Sequence, residues 1–197
     1  MHLRLLTAPA SPILTTAEAK AHLRVYHDDE DAYISDIVEA VTANIDGAEG
    51  WLGRCIVSQS WEVTLDEFPP NNHLGVKPLK LPLPPIITVD SVLYDDADGV
   101  ETELTSANYR LIGEGSTGGA YLLPLADTEW PETNDEPAAV RVSFTAGYAS
   151  VPQSIKWGVR LFVSHLYENR EAVSDRNLVE VPMAAQRLLS PHQFWPT

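Results

Sequence analysis

The sequence predicts an α+β fold in which a helical bundle carries an inserted small antiparallel β module. Apolar residues recur at helical spacing near both ends of the chain, whereas the middle alternates apolar and polar residues between turn signals. A chain of 197 residues is long enough for one domain with a sizeable insertion. We therefore expect residues 1–57 and 147–181 to form the bundle, residues 58–146 the β module, and residues 182–197 a C-terminal tail.

Two helices are predicted in the N-terminal part. Thr15 is the expected N-cap of the first, because Glu18 follows three residues later and completes a capping box. Asp28 is the expected N-cap of the second, with acidic residues in its first turn opposing the helix dipole. We expect this second helix over residues 28–53, ending at Gly53. Its apolar face consists of Ile34, Ile37, Val38, Val41, Ile45, Ala48 and Leu52.

A long helix is predicted over residues 152–171, and a short one over residues 182–189. Pro152 suits the first turn of the long helix, where its missing N–H would have no partner. The apolar residues of the long helix cover more than one face: Ile155, Trp157, Val159, Leu161, Phe162, Val163, Leu166 and Tyr167. Such a helix needs cover on several sides, from this chain or from neighbouring copies of it.

The middle of the chain carries strand signals. Residues 61–65 alternate apolar and polar side chains, which is typical of a half-buried strand. Asp98 and Gly99 form a hairpin turn signal. Further strands are expected over residues 86–94, 101–104, 109–112, 120–123 and 139–145, so that the module has about five to seven strands. Outside it, Leu3 to Leu6 suit either a short strand or an extended arm.

The charge of the chain excludes one class of function. Its formal net charge is −15, and residues 90–140 contain a single base, Arg110, against twelve acids. A protein that binds nucleic acid by neutralising phosphates needs clustered Lys and Arg, which this chain lacks. An acidic surface suits contact with DNA that slides past without binding, and equally a solvated face. No apolar run is long enough for a membrane helix.

Two motifs in the β module resemble ligand sites but fail on their context. Residues 113–118 match the letters of the dinucleotide fingerprint, but an expected strand follows where a helix N-terminus is needed. Residues 94–99 resemble part of a calcium loop, but Tyr94 and Thr105 stand where acids are needed. A hairpin loop is the expected structure of residues 113–119. The alternative is that this loop makes the chain a small acidic ligand- or peptide-binding module.

We expect no catalytic residue, no cofactor and no metal. The six histidines show no pair at helical ligand spacing, and the single cysteine, Cys55, excludes an internal disulfide. We expect Cys55 to be a small packing residue and His165 to pack within the long helix. An enzyme is a third hypothesis that rests only on the presence of carboxylates.

Two segments, taken together, resemble the head–tail connector (adaptor) proteins of tailed phages, prophages and gene transfer agents. Residues 14–34, LTTAEAKAHLRVYHDDEDAYI, resemble the opening of that family, and residues 161–172, LFVSHLYENREA, resemble its H-x-Y-E-N-R-E segment. Residues 59–69, 98–99 and 144–148 are similar to further landmarks of the family. The ending at residues 188–191 resembles the family's L-L-x-P-Y-R, although His192 and Gln193 replace Tyr and Arg. The resemblance covers nearly the whole chain.

The resemblance implies a non-enzymatic structural role in a virion or phage-like particle that is assembled in the bacterial cytoplasm. It implies a homo-oligomeric, dodecameric ring beneath the portal protein, which joins the portal to a stopper or tail-completion protein and continues the DNA channel. The C-terminal tail, residues 182–197, would bind the portal, by way of Met183, Leu188, Leu189, Pro191, Phe194 and Trp195. The subunit core and ring contact would come from Ile34, Val38, Val41, Val159, Phe162, Leu166 and Tyr167. The tail alternatively docks on its own chain.

Overall fold

The structure, a computed structural model, describes residues 1–70, 77–125, 128–170 and 183–195. Over these residues the fold is α+β, as predicted, with antiparallel sheets and a larger share of strands than a bundle with an insertion implies. The chain divides into two compact units. The β unit comprises Met1–Ala8 and Ser58–Tyr148, and the helical unit comprises Pro9–Val57 and Ala149–Trp195.

The helical unit has four α-helices within the described residues. They are α1 (Thr16–Leu23), α2 (Asp31–Ile45), α3 (Gln153–Glu168) and α4 (Met183–Leu189), with a 3-10 turn at Ser190–His192. The predicted capping box of α1 is confirmed. The Glu18 amide donates to the Thr15 hydroxyl at 3.1 Å, and the Thr15 amide donates to the Glu18 carboxylate at 2.9 Å. These bonds satisfy amides that a helix start leaves without partners, so a helix as short as α1 begins at a defined residue.

The predicted bounds of α2 are wrong at both ends. Its N-cap is Glu30 and not Asp28, because the Asp28 carboxylate binds the Lys20 ammonium at 2.7 Å instead of the helix amides. The helix ends at Ile45 and not at Gly53. Gly47 has a φ of +78°, which lies outside helical geometry and which glycine adopts without strain.

The residues after α2 form tight turns that fold back on the helix. The Gly47 amide donates to the Arg54 carbonyl at 2.9 Å, and the Trp51 amide to the Asn44 carbonyl at 2.8 Å. Leu52, predicted as part of the helical face, is fully buried from these turns. The prediction that Leu52 is buried is therefore confirmed, although α2 ends before this residue.

The long helix α3 begins directly after Pro152, which is its N-cap, and ends at Glu168. Its buried residues are Ile155, Gly158, Val159 and Val163. The prediction that this helix continues to residue 171 is wrong, because Asn169 is already its C-cap. The start of the tail at residue 182, the domain boundary at residue 181 and the last two residues of the tail lie outside the described residues.

The β unit has eight strands in the described residues, arranged in two antiparallel sheets. They are β1 (His2–Thr7), β2 (Gln59–Leu65), β3 (Leu79–Leu81), β4 (Ile86–Asp95), β5 (Glu101–Glu103), β6 (Tyr109–Ile112), β7 (Ala120–Pro124) and β8 (Val140–Ala146). The larger sheet has the order β1-β2-β8-β4-β5, and the smaller one β3-β7-β6. The Asp98–Gly99 turn joins β4 to β5, and the second predicted hairpin joins β6 to β7.

The central strand of the larger sheet is β8. It alternates as predicted, since Val140, Val142 and Phe144 are fully buried while the residues between them are half-buried. The β2 strand pairs with it along its whole length and alternates in the same register. The face that the two strands share therefore forms the core of the β unit.

The first segment, which suits a strand or an arm by its sequence, is the strand β1. Leu3 pairs opposite Val63 and Leu5 opposite Trp61, so the apolar face of β2 continues onto β1. Residues 1–8 therefore group with the β unit, whereas the expected division places them with the helices. The pairing partner lies more than fifty residues away in sequence, which a local pattern does not show.

Within the described ranges, no helix is both long and apolar enough to cross a membrane. The same part of the chain contains no group of three His, Cys, Asp or Glu side chains placed to hold a metal ion. Cys55 is buried and forms no disulfide within the described residues.

We expect Gly158→Val to destabilise the protein by about 1–3 kcal/mol, the usual cost of overpacking a core. A Cβ atom at Gly158 would lie 2.7 Å from Cγ of the fully buried Leu189. Urea unfolding of the full chain measures the change. The double variant Gly158→Val/Leu189→Ala should lose less than the sum of the two single losses, because the shortened side chain makes room. Strict additivity would contradict the contact.

Candidate interaction surfaces of the helical unit

The C-terminal segment docks on its own unit through a close helix contact. Ala185 and Leu189 of α4 are fully buried, and Leu189 packs where α3 has no side chain, at Gly158. A glycine at this position lets the two helices approach more closely than any larger residue allows. In this single chain the C-terminal segment thus contacts its own unit, and the portal contact of the tail stays a prediction.

The residues after α4 continue along the same unit. The Ser154 hydroxyl and the His192 Nε2 lie 2.7 Å apart, and the Phe194 amide donates to the Leu52 carbonyl at 2.8 Å. Burial, and then the nearby Arg54 charge, lowers the pKa of the His192 imidazole below its ordinary value. The segment is thus held by backbone and polar side-chain contacts as well as by Leu189, up to the residue before Trp195.

The six residues expected to bind a portal protein are therefore not equivalent. Met183 is 68% exposed, Trp195 is 71% exposed, and Pro191 is also exposed. Leu188 and Phe194 are half-buried, and Leu189 is fully buried against α3. In this conformation Met183 and Trp195 offer a partner the most apolar surface, whereas Leu189 serves the unit's own core.

The residues expected to form the subunit core and ring contact also divide into two groups. The fully buried ones belong to the core: Ile34, Val38, Val41 and Val159. The half-buried ones keep part of their surface accessible: Phe162, Leu166 and Tyr167. The broad apolar surface of α3 is thus covered only in part by its own unit, and these three half-buried residues lie in the C-terminal half of the helix.

An aromatic and charged cluster joins α1 to α3. The indole of Trp157 is half-exposed; the His22 ring meets it edge-on at 5.7 Å, and the Arg160 guanidinium lies 5.3 Å from its centroid. Glu18 lies 3.4 Å from the Lys156 ammonium and 3.6 Å from the Arg160 guanidinium. Burial, and then the Arg160 charge, lowers the pKa of His22. The sequence pattern assigned Trp157 to the apolar arc without indicating that half of it faces outward.

A second cluster ties the start of α2 to the end of α3. The Tyr167 hydroxyl and the Arg170 guanidinium both donate to the Glu30 carboxylate, and Arg170 lies 4.7 Å from the Tyr33 ring centroid. The hydrogen bond from Tyr167, followed by that from Arg170, lowers the pKa of Glu30 below its ordinary value of 4.5. The acidic run at residues 28–31 was predicted as a helix cap. Glu30 instead binds two residues that lie some 140 positions later in the chain.

In the β unit, the loop at residues 113–119 is a hairpin loop and not a cofactor cradle. Strand β7 follows it, so no helix N-terminus is available for a phosphate. Gly113 has a φ of +84°, and a Cβ there would lie 2.7 Å from the Gly119 carbonyl oxygen. The Gly115 amide donates to the Ile86 carbonyl at 2.8 Å. These glycines therefore close a tight turn against the sheet.

No protein-family model matches the chain, and no curated protein matches it. Solved structures do share its fold. A chain from the virion of a native gene transfer agent (GTA) particle is 24% identical with a TM-score of 0.77, and the match covers 100% of this chain and 97% of that one.

Two further matches have the same coverage. A chain from the neck of an empty GTA particle, computed with C6 symmetry, is 23% identical with a TM-score of 0.76. A chain from the neck of a native GTA particle, computed with C12 symmetry, is 21% identical with a TM-score of 0.68. The protein thus has the fold of these particle chains over its whole length.

We expect Glu30→Gln to make stability less dependent on acid pH. A carboxyl whose pKa is lower in the folded state stabilises the fold above its unfolded pKa, near 4.5. It loses that contribution as the pH falls through the folded value. Urea unfolding at pH 7 and at about pH 3 should therefore show a smaller difference for Glu30→Gln than for the unmodified chain. Asp29→Asn, which removes a neighbouring charge, is the control, and an equal effect from it would contradict the role of Glu30.

Proposed function

We propose that this chain is a structural head–tail adaptor and not an enzyme. Copies form a dodecameric ring beneath the portal of a phage-like particle, link the portal to a stopper or tail-completion protein, and continue the DNA channel. The protein acts by geometry, because it presents one docking surface to the portal and another to the tail side. Its place is the head–tail interface, and it is assembled in the bacterial cytoplasm.

The observation that carries the proposal is the likeness to the GTA neck. The matched neck chains align with this chain over its whole length, and those necks are described with C6 and C12 symmetry. Cyclic symmetry is what a ring of identical chains has. The sequence resemblance at residues 14–34 and 161–172 is a second and independent support, because it was found without the structure.

The exposed residues of the helical unit supply the surfaces that such a role requires. Trp and Tyr dominate the energetics of protein interfaces, and Tyr26, Trp157 and Trp195 all leave much of their surface open. We assign Trp195 and Met183, at the two ends of the C-terminal segment, to the portal contact. The half-buried residues of α3 belong to the ring contact in this proposal.

The charge of the chain supports a passive role towards DNA. With a net charge of −15, the protein repels the phosphate backbone at long range. A channel wall of that sign lets DNA pass without specific binding, whereas a basic wall would hold it through released counterions.

Electron microscopy of purified particles tests the proposal directly. Particles that carry an affinity label on this chain should show the label as a ring between the portal and the tail. Label elsewhere in the particle, or a chain that is found only outside particles, would overturn the adaptor role. Either result would favour the alternative, a small acidic binding module that acts through residues 113–119.

We expect Trp195→Ala to leave the fold intact and to reduce the joining of heads to tails. The indole is exposed, so the urea midpoint should not change, whereas truncation of an interface hot spot costs about 2 kcal/mol or roughly 30-fold in affinity. Counting tailed and tailless particles by microscopy measures the effect. Gln186→Ala, on the exposed side of α4, is the matched control.

This point substitution separates binding from folding better than a truncation does. Removal of all residues after 180 would also remove Ala185 and Leu189, whose burial stabilises the helical unit. An unchanged yield of tailed particles from a folded Trp195→Ala protein would remove Trp195 from the portal contact.

A further inference from the structure

The larger sheet of the β unit ends in two strands that differ in character. β1 lies at one end of it and β5 at the other. Within the described residues, β1 pairs only with β2 and β5 pairs only with β4. Each of these strands therefore has one edge whose backbone groups have no strand partner in this part of the chain. Unpaired backbone of this kind is a template for a strand from another chain.

β1 has few of the features that usually prevent edge pairing: one charged side chain, Arg4, and a register irregularity between Leu5 and Thr7. Proteins protect an exposed edge with Lys, Pro or inward-pointing charges, and His2–Thr7 contains no Lys, Pro or acid. Leu5 and Leu6 are each 44% exposed, although Leu5 lies on the face that covers the core through Trp61. A strand added beyond β1 would cover the exposed part of Leu5 and extend the core face.

The outer edge of β5 also presents backbone N–H and C=O groups to an incoming strand. The Leu104 amide donates to the Val92 carbonyl, and the Val100 carbonyl accepts from the Asp96 amide, so the even-numbered residues of this segment bond towards β4. Because backbone groups alternate in direction along a strand, the N–H and C=O groups of Glu101 and Glu103 point away from β4. Val100, beside them, is 58% exposed and offers an apolar contact.

The two ends of the sheet have opposite charge. β1 carries His2 and Arg4, and no acid occurs before Glu18. The Arg4 guanidinium binds Glu62 of β2 at 2.9 Å, but its side chain is 64% exposed and remains accessible to a further acid. The β4–β5 hairpin carries acids and no base from residue 95 to residue 109. Arg141 binds Asp95 and Glu101, which leaves the exposed Glu103 as the acid of β5 nearest to an incoming strand. Pairing β1 with β1, or β5 with β5, would place like charges together, whereas pairing β1 with β5 joins opposite ones.

We propose that β1 of one copy adds to the outer edge of β5 of a neighbouring copy, so that the larger sheets of successive copies join edge to edge. The contact is head-to-tail, and a head-to-tail contact between identical chains closes into a ring when the rotation allows it. The inference rests on the ring of the proposed function and gives the β unit a defined part in it. Backbone hydrogen bonds supply affinity, while the charges and the leucines set the orientation.

Disulfide crosslinking of the full chain tests this pairing. Leu5→Cys and Thr102→Cys are combined in a Cys55→Ala background and oxidised mildly at high protein concentration. Both positions lie on the core face of the larger sheet, since Leu5 pairs opposite Trp61 and Thr102 opposite Tyr94. Within one copy β1 and β5 are four strand spacings apart, roughly 19 Å, so no disulfide forms between them in the same molecule. We expect a ladder of dimers, trimers and longer species on a non-reducing gel. Dimers from Leu5→Cys alone, or monomers only from the double variant, would overturn the proposal.

A substitution at Glu103 in the double-cysteine protein gives a second measurement, because it changes a backbone N–H group of β5. With the second cysteine at position 102, position 103 is free for substitution. Glu103→Pro then removes an outward N–H that does not bond to β4 and should abolish the ladder, whereas Glu103→Ala keeps the N–H and should retain much of it. Circular dichroism confirms that both variants are folded. An undiminished ladder from the Glu103→Pro variant would count against strand addition.

The outcomes separate this inference from the adaptor role. A labelled ring in particles without the crosslink would reject the β1–β5 contact and leave the adaptor role standing. Crosslinked oligomers of a chain that never enters particles would reject the adaptor role and leave the contact standing.

Discussion

The contact between Gly158 and Leu189 decides how the helical unit is completed. α4 has only seven residues and would not be stable alone, so it depends on burying Ala185 and Leu189. That burial is possible because α3 has no side chain at residue 158, which allows the Leu189 side chain to reach the backbone of the longer helix. The 3-10 turn and Phe194 then follow along the unit, and Trp195 reaches the surface at a defined place. The position of the proposed portal contact thus depends on Gly158, a buried residue of α3.

The polar clusters of the helical unit complement this packing. Glu18 bonds within the cap of α1 and also faces two bases of α3, while Glu30 receives Tyr167 and Arg170 from the other end of α3. Both carboxylates lie at a helix start, where the helix dipole favours a negative charge, and both have a lowered pKa. α3 is therefore fixed near each end by charged groups of the N-terminal helices. Between these ends Leu161, Phe162 and Leu166 keep part of their apolar surface accessible.

Much of the fold was predictable because it depends on local chemistry. The capping box of α1, the alternation of β2 and β8, and the Asp98–Gly99 turn each follow from a few adjacent residues, and all are present. The early end of α2 was not predictable from its apolar pattern, since that pattern continues to Leu52 through turns that Gly47 opens. Asp28 has the right chemistry for a cap, but Lys20 binds its carboxylate at 2.7 Å. The candidate portal residues were chosen by type, and residue type does not reveal that Leu189 is buried.

The sequence by itself determined the α+β class, the order of helices and strands, and the acidic balance of the chain. These properties follow from periodicity, turn residues and composition, which are local or additive. The tertiary structure alone decided that β1 joins the sheet, that Glu30 binds Tyr167 and Arg170, and that the C-terminal segment docks on α3. Each of these contacts joins residues far apart in the chain, so it depends on which surfaces meet after folding. After these contacts have formed, Tyr26, Trp157 and Trp195 remain exposed and available to partners.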